Sequence, residues 1–431
     1  MASIWAVLWL VRYVRADTMT RASIRQAVRV RFGWRRLAPM AGLSVTDKTP
    51  PTVVVAPDGK VPKPRVLIPK IKVAPDRYGV LVRAECLPKV SLGEFQRAAP
   101  YLADAWRCAR VSVLPDTPGR LLIRGVRMDP LIVRTDHTPT GAPPEEIATW
   151  HLGLDEYAQP VSVSLADVPG VTVAGLPGFG KTSLLNRFLC DTAPSDAIQY
   201  AVADGKVTSS AEGDYAELAQ RAFAFVGDDL GEANALFTRL VELRRARSAA
   251  IRSVLGVKNM WHVGPSAAWP LTVLIIDEAH TYFREHKGSD PQTKKLAALA
   301  AENARLVEDL VKKGRSVGML VIIATQKATG DAIPTFIRDV CPVGLSFAQK
   351  TAEAAVVALG EDIRNWPDAN PTALQDPVYV GVASMAHQGR PGFTRVRTPY
   401  VADTDADRIA AATAHLTRDP AELLAQLVKA A

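Results

Sequence analysis

The sequence predicts an α/β fold, a parallel doubly wound sheet with helices on both faces, and three stretches carry that prediction. Residues 171–174, 271–276 and 320–324 are apolar, β-branched runs, each long enough for one strand. Each stops abruptly: the first at the glycine-rich turn Gly175-Leu176-Pro177-Gly178-Phe179-Gly180-Lys181-Thr182, the second at the acids Asp277-Glu278, the third at the polar pair Thr325-Gln326. Strands covered on both faces read as continuous apolar runs rather than alternating ones. Polar residues at their carboxyl ends collect on the edge of the sheet where such folds bind ligands. Runs at 199–203 and 343–346 supply two further strands, and helical periodicity predicts long helices over 230–254 and 294–313.

The first turn has a specific chemistry. G-x-x-x-x-G-K-[ST] between a strand and a helix cradles phosphate oxygens with backbone N–H groups. Lys181 is then a point charge for the β- and γ-phosphates, the Thr182 hydroxyl a ligand for Mg²⁺, and the helix from Ser183 onward adds the positive end of its dipole. Residues 175–183 are therefore the expected nucleotide-binding segment, with ATP and Mg²⁺ as cofactors. In this class of site a strand-terminal Asp holds the metal shell and an adjacent Glu polarises the attacking water, roles that fall to Asp277 and Glu278. The third strand would bring Gln326 beside them, within reach of the γ-phosphate or its water.

Ahead of this region the pattern differs. Residues 78–84, 109–113 and 119–125 alternate as strands and 92–106 as a helix, which predicts a small α+β domain. Six prolines between 50 and 70 predict an extended linker, and the Thr-Pro-Thr-Gly-Ala-Pro-Pro run at 138–144 a boundary. The expected organisation is a basic segment over 1–45 with a short apolar stretch, a linker over 46–70, the small domain over 71–145, the nucleotide-binding domain over 151–400, and a helical tail over 401–431 with helices at 405–416 and 420–430.

The chain has 431 residues, 48% hydrophobic and 22% charged, enough for two or three domains with substantial cores. Its four cysteines lack C-x-x-C spacing, which argues against a zinc site or a disulfide framework and fits a reducing compartment. The net charge of +8 is concentrated early: residues 1–40 hold eight arginines against Asp17, while 151–431 carry 28 Lys and Arg against 32 Asp and Glu. Clustered arginine meets DNA phosphates or anionic lipid. Residues 4–14 are apolar and tryptophan-rich but shorter than the roughly 20 residues a spanning helix needs, and they lack a cleavage site for a signal peptide. An interfacial anchor, the end of a longer membrane region and an oligomer contact all stay open, with a peripheral membrane contact through the N-terminus the favoured expectation. The corresponding location is the cytoplasm, at the inner face of the membrane.

With these motifs in order, residues 151–400 resemble the motor domain of the FtsK/SpoIIIE family of DNA translocases. Leu152-Gly-Leu-Asp155 and Leu165-Ala-Asp-Val-Pro169 resemble the family's approach to its phosphate loop, and Asp204-Gly205-Lys206 stands where it has Asp-Pro-Lys. Arg244-Arg245 and Leu255-Gly-Val-Lys-Asn259 match two further segments, as does Lys313-Gly-Arg315-Ser-Val-Gly318 followed by Ala324-Thr325-Gln326-Lys327. Within the family the details look most like the Tra proteins of actinomycete conjugative plasmids and integrative elements. Two positions depart from it: Lys327 replaces the usual arginine after Thr-Gln and Ala328 the proline. About thirty residues follow Val401, too few for a winged DNA-reading domain, so sequence-directed loading of the chromosomal type is expected to be absent.

The resemblance implies a RecA-like P-loop NTPase motor, acting as a homo-oligomer, a hexameric ring, that pulls double-stranded DNA in conjugative transfer. It also implies that Arg315 is an arginine finger offered to a neighbouring subunit. Lys258, Lys287, Lys294 and Lys295 are candidate phosphate contacts in the ring's lumen. Two alternatives remain: a coupling ATPase that threads single-stranded DNA, and a nucleotide-dependent switch or small-molecule kinase that does not act on DNA.

Overall fold

A computed structural model of the protein describes residues 13–47, 65–326, 329, 332–387 and 392–430, which divide into two compact units. One comprises residues up to Pro130 with Glu156–Gln159, the other Leu131–Asp155 with Pro160–Ala431. The sequence reading set the boundary near 145; compactness sets it at Pro130, and 131–155 go with the larger unit.

In the smaller unit helix α1 (Thr18–Met40) starts at Asp17, whose carboxylate accepts the Thr20 N–H at 2.7 Å. Strands β1 (Val45–Asp47) and β2 (Arg65–Leu67) pair antiparallel, so the end of the proline-rich stretch is strand rather than linker, while 48–64 lie outside the described residues. Strands β3 (Ile71–Pro75), β4 (Gly79–Glu85), β5 (Arg110–Pro115) and β6 (Arg120–Val126) form an antiparallel sheet in the order β3-β4-β6-β5, with helix α2 (Leu92–Trp106) between β4 and β5. The basic N-terminal helix is not a detached arm. Its apolar side, Ala27, Val30, Trp34 and Ala38, joins Val80, Val82, Phe95 and Leu102 in one core, and the Trp34 indole N–H donates to the Pro69 carbonyl at 2.7 Å.

The larger unit holds a ten-stranded sheet. It contains β7 (Thr149–Asp155), β8 (Pro160–Ser164), β9 (Gly170–Ala174), helix α3 (Lys181–Thr192), β10 (Ile198–Asp204), β11 (Ala222–Val226) and α4 (Leu230–Leu255). Then come β12 (Leu271–Asp277), α5 (His280–Phe283), α6 (Pro291–Lys313), β13 (Met319–Thr325), α7 (Thr335–Arg338), β14 (Val343–Ser346) and α8 (Ala352–Leu359). Strands β15 (Val382–Ala386) and β16 (Phe393–Arg397) and helices α9 (Asp403–Thr413) and α10 (Pro420–Ala430) finish the unit. The order is β11-β10-β12-β13-β9-β14-β15-β16-β7-β8. The strands from β11 to β14 are parallel, as the apolar runs predict. The other four extend the sheet antiparallel, which the sequence reading did not foresee.

Two apolar cores cover the parallel part. On one face α3 and α9 pack through Leu184, Phe188, Ile409 and Ala410; on the other α4 and α6 pack through Phe237, Leu240, Val307 and Leu310. The C-terminal helices are thus part of the core, with Leu424 of α10 buried beside α4. Every residue of β9, β10, β12 and β13 is buried, which is why their sequences show no alternation. The long helices are set by local signals: Asp229 caps α4 through the Gly231 and Glu232 N–H groups and left-handed Gly256 ends it, while Asp290 and Pro291 start α6. Among the described residues no helix is long and apolar enough to cross a membrane, and of residues 4–14, on which the expected membrane contact rests, 4–12 lie outside them.

Candidate nucleotide site at the carboxyl edge of the sheet

The parallel register carries the polar ends of four strands to one edge. Asp204 of β10 stands opposite Asp277 of β12, Ile276 opposite Ile323 of β13, and Thr325 opposite Ala174 of β9. The glycine-rich turn after β9, the Asp-Glu pair after β12 and Gln326 after β13 are therefore neighbours, and Asp204-Gly205-Lys206 closes the row.

The turn has the backbone its glycines permit. Gly175, Gly178 and Gly180 have φ of +151°, +76° and +106°, and a Cβ on Gly175 would lie 2.6 Å from Phe347 Cβ. The Leu176 N–H donates to the Ala348 carbonyl at 2.9 Å, the Gly381 N–H donates to the Phe179 carbonyl at 3.0 Å, and the exposed Pro177 and Gly178 form the tip. Lys181, Thr182 and Ser183 form the first turn of α3, so unpaired N–H groups and the positive end of the helix dipole face the loop's interior. The Lys181 ammonium is buried and donates to the carbonyls of Gly175 at 2.7 Å and Leu176 at 3.0 Å. Burial pushes it down to about 8.

Asp277 is the electrostatic centre. It is fully buried, and its Oδ2 accepts from the Thr182 hydroxyl at 3.2 Å, the Lys206 ammonium at 2.8 Å and the Tyr215 hydroxyl at 3.1 Å, while Oδ1 accepts the Glu278 N–H at 2.9 Å. Burial works against the Lys206 charge, but the charge and hydrogen bond of Asp277 together with the charges of Asp204 and Asp214 outweigh it and hold the ammonium above its ordinary range. Burial and then the Asp277 charge push the Asp204 carboxyl up to about 6. Gly205 is required by proximity: its N–H donates to the Asp277 carbonyl at 2.9 Å, its carbonyl accepts the Thr281 hydroxyl at 2.9 Å, and a Cβ there would lie 2.7 Å from Thr281.

Glu278 has φ of +53°, a left-handed backbone that is costly for a residue with a Cβ and that accumulates at functional sites. The turn aims its side chain at the tip of β13, where Oε2 accepts the Gln326 N–H at 3.3 Å. Burial and then the neighbouring Asp277 raise its carboxyl above the ordinary value, the direction that would suit a general base.

The donor set fits a divalent ion bound with a triphosphate: a hydroxyl on the first turn of a helix and a buried carboxylate 3.2 Å apart, beside a loop of open N–H groups. The seat a cation would take is already defined by a cationic group, Lys206. Among the described residues no cluster of three or more His, Cys, Asp or Glu forms a metal site, so the ion would depend on phosphate oxygens for the rest of its shell.

Arg315 is not with these residues. It precedes β13, at the amino edge of the sheet, roughly 20 Å from the site by the length of a seven-residue strand. Its side chain is 56% exposed and lies 3.9 Å from Asp167, and the Trp261 indole N–H fixes its carbonyl at 3.0 Å. The lumen candidates separate too. Exposed Lys258 belongs with Asn259, which bonds Asp167 near Arg315, whereas Lys287, paired with Glu285 at 3.1 Å, and exposed Lys294 and Lys295 follow β12. Lys327 and Ala328 lie outside the described residues. Sequence reasoning gave Lys206 no role and missed Tyr215; the strand register marks the first, and no sequence signal marks the second.

Sheet order, phosphate loop and paired acids together define a P-loop NTPase fold. No family model matches the chain. The DNA translocases FtsK of Leptospira interrogans serovar copenhageni strain Fiocruz L1-130 and serovar Lai strain 56601 are each 22% identical to it over 362 residues, covering 78% of this chain. The chain spans 35% of the length of those relatives. Among solved structures, the monomer form of the pCW3 conjugation coupling protein TcpA with ATPγS superposes with a TM-score of 0.52 at 16% identity, over 90% of this chain and 99% of that one. The chain is FtsK/SpoIIIE-like, as the motifs indicate.

Proposed function

We propose that the protein is an ATP-driven translocase of double-stranded DNA that works as a ring of identical subunits in conjugative transfer, in the cytoplasm and against the inner face of the membrane. The observation that carries the reading is the meeting of Lys181, Thr182, Asp277, Glu278 and Gln326 at one edge while Arg315 sits at the other. A subunit built so cannot use its own Arg315 at its own site, and a neighbour's would serve. The likeness to FtsK and to TcpA supports DNA as the partner, and the distance of Arg315 from its own subunit's site supports assembly with a neighbouring copy.

In this mechanism residues 175–183 wrap the β- and γ-phosphates with backbone N–H groups, and Lys181 neutralises their charge. Thr182 and Asp277 would hold Mg²⁺, which when bound would supply further neutralisation of the phosphate charge. Glu278 accepts the proton of the attacking water, which Gln326 orients. A neighbour's Arg315 stabilises the charge that develops on the transferred group, an effect worth about 10³ to 10⁵ in rate. Hydrolysis is thereby tied to the subunit interface, and relative movement of subunits draws the duplex along its phosphates.

The test is ATP turnover by the full chain with and without duplex DNA. The expected result is stimulation by duplex that exceeds stimulation by single strands of equal length. Turnover indifferent to duplex removes the translocase, and stimulation by single strands alone favours the single-strand coupling reading.

A further inference from the structure

The residues around Asp277 include one cation that the mechanism leaves without a task. Lys206 Nζ lies 2.8 Å from Asp277 Oδ2 and 3.3 Å from Thr182 Oγ1. Those are the two side chains that hold the divalent ion in the proposed function. The ammonium supplies a positive charge that a fully buried carboxylate requires, since burying such a group alone is strongly unfavourable. Two cations cannot share the seat, because like charges a few ångströms apart in a partly buried site repel strongly.

A second seat lies next to the first. Asp204 stands in register with Asp277 on the neighbouring strand, and its Oδ2 is buried with no hydrogen-bond partner. Asp214 Oδ2 is 3.9 Å from the ammonium. The Asp204 Oδ1 accepts the backbone N–H of Lys206 at 3.1 Å, so the lysine's own backbone is anchored to the acid that would receive its side chain. Buried acceptors in folded proteins nearly always have a partner, and an orphaned carboxylate oxygen beside a flexible four-carbon ammonium supplies one.

We propose, resting on the nucleotide reading above, that Lys206 is a displaceable counter-cation: it holds Asp277 and Thr182 before metal binds and moves to Asp204 and Asp214 when a divalent ion enters. The exchange keeps Asp277 compensated throughout and keeps metal affinity below what the two ligands alone would give. It also makes loading legible at the tip of β10, because the adjacent Gly205 is bonded there to both β12 and α5.

The experiment measures Mn²⁺ binding to the full chain at saturating ADP by electron paramagnetic resonance. Lys206→Met removes the competitor and is expected to bind Mn²⁺ about tenfold more tightly than the wild type, a change equal to about 1.4 kcal/mol. Damage to the fold would not raise affinity. Asp204→Asn keeps the first seat but weakens the second, and is expected to bind Mn²⁺ several-fold more weakly. Wild type and Lys206→Met that take ADP equally but bind Mn²⁺ with equal affinity, or a Lys206→Met that binds it more weakly than the wild type, overturn the displacement and leave the nucleotide reading standing. A wild type that takes no ADP overturns both. Should Lys206→Met not fold, unchanged or increased Mn²⁺ affinity in Asp204→Asn overturns the proposal.

Discussion

Replacing Lys181 with Met separates what the phosphate loop does for binding from what it costs the fold. Lys181 is 4% exposed, and its charge is satisfied by two carbonyls of its own loop rather than by a direct ion pair. Burial lowers it from 10.5 to about 8, and at 1.36 kcal/mol per pH unit that drop corresponds to about 3 kcal/mol of destabilisation at pH 7. Methionine has similar length and no charge to desolvate. It forfeits two hydrogen bonds to carbonyls, worth about 1 kcal/mol each, so a net gain of about 1 kcal/mol is expected. The sign with pH follows from proton counts. Between about pH 8 and 10.5 the folded wild type binds fewer protons at this lysine than the unfolded chain, so its stability rises with pH across that window.

Calorimetry without nucleotide should therefore find Lys181→Met melting about 2–4 °C above the wild type at pH 7, with that advantage gone or reversed by pH 9.5. Binding of a fluorescent ATP analogue should be lost at both. A variant that melts at or below the wild type at pH 7, or a gap independent of pH, refutes the argument that this lysine is held at the fold's expense for the sake of phosphate.

Glu278→Gln should retain nucleotide binding while turnover falls by about 10² to 10⁴, measured by phosphate release. Because burial and Asp277 raise the Glu278 carboxyl, wild-type turnover should decline on acidification at a pH above the ordinary glutamate value of 4.5, and a profile flat through that region counts against Glu278 as the base. Arg315→Ala should be inactive alone yet regain turnover when mixed with Lys181→Ala, since each mixed interface can join one intact site to one intact finger; no recovery in mixtures that demonstrably co-assemble removes Arg315 from that role.

Much of the motor was legible in the sequence because its signals are local. A strand buried on both faces must be apolar throughout, so the strands carrying the phosphate loop, Asp277 and Gln326 announced themselves, and each stopped where its side chains reached the edge of the sheet. Likewise Asp229, Gly256, Asp290 and Pro291 specify helix ends through hydrogen bonds and dihedral preferences spanning only a few residues. The antiparallel strands β15, β16, β7 and β8 were not legible in the same way. They are short, two precede the phosphate loop and two follow the parallel strands, and nothing local says that distant segments share an edge.

What the sequence determined by itself, then, is which residues have the chemistry: Lys181, Thr182, Asp277, Glu278 and Gln326 are named by the strand ends that bear them. Only the tertiary structure decided which of them touch. It joined Lys206 and Tyr215, 71 and 62 residues from Asp277, to a single carboxylate oxygen, and it separated Arg315 from the site by the length of a strand. The physical reason is that backbone propensity acts over a few residues, whereas ion pairing inside a protein depends on the register of strands brought together from across the chain.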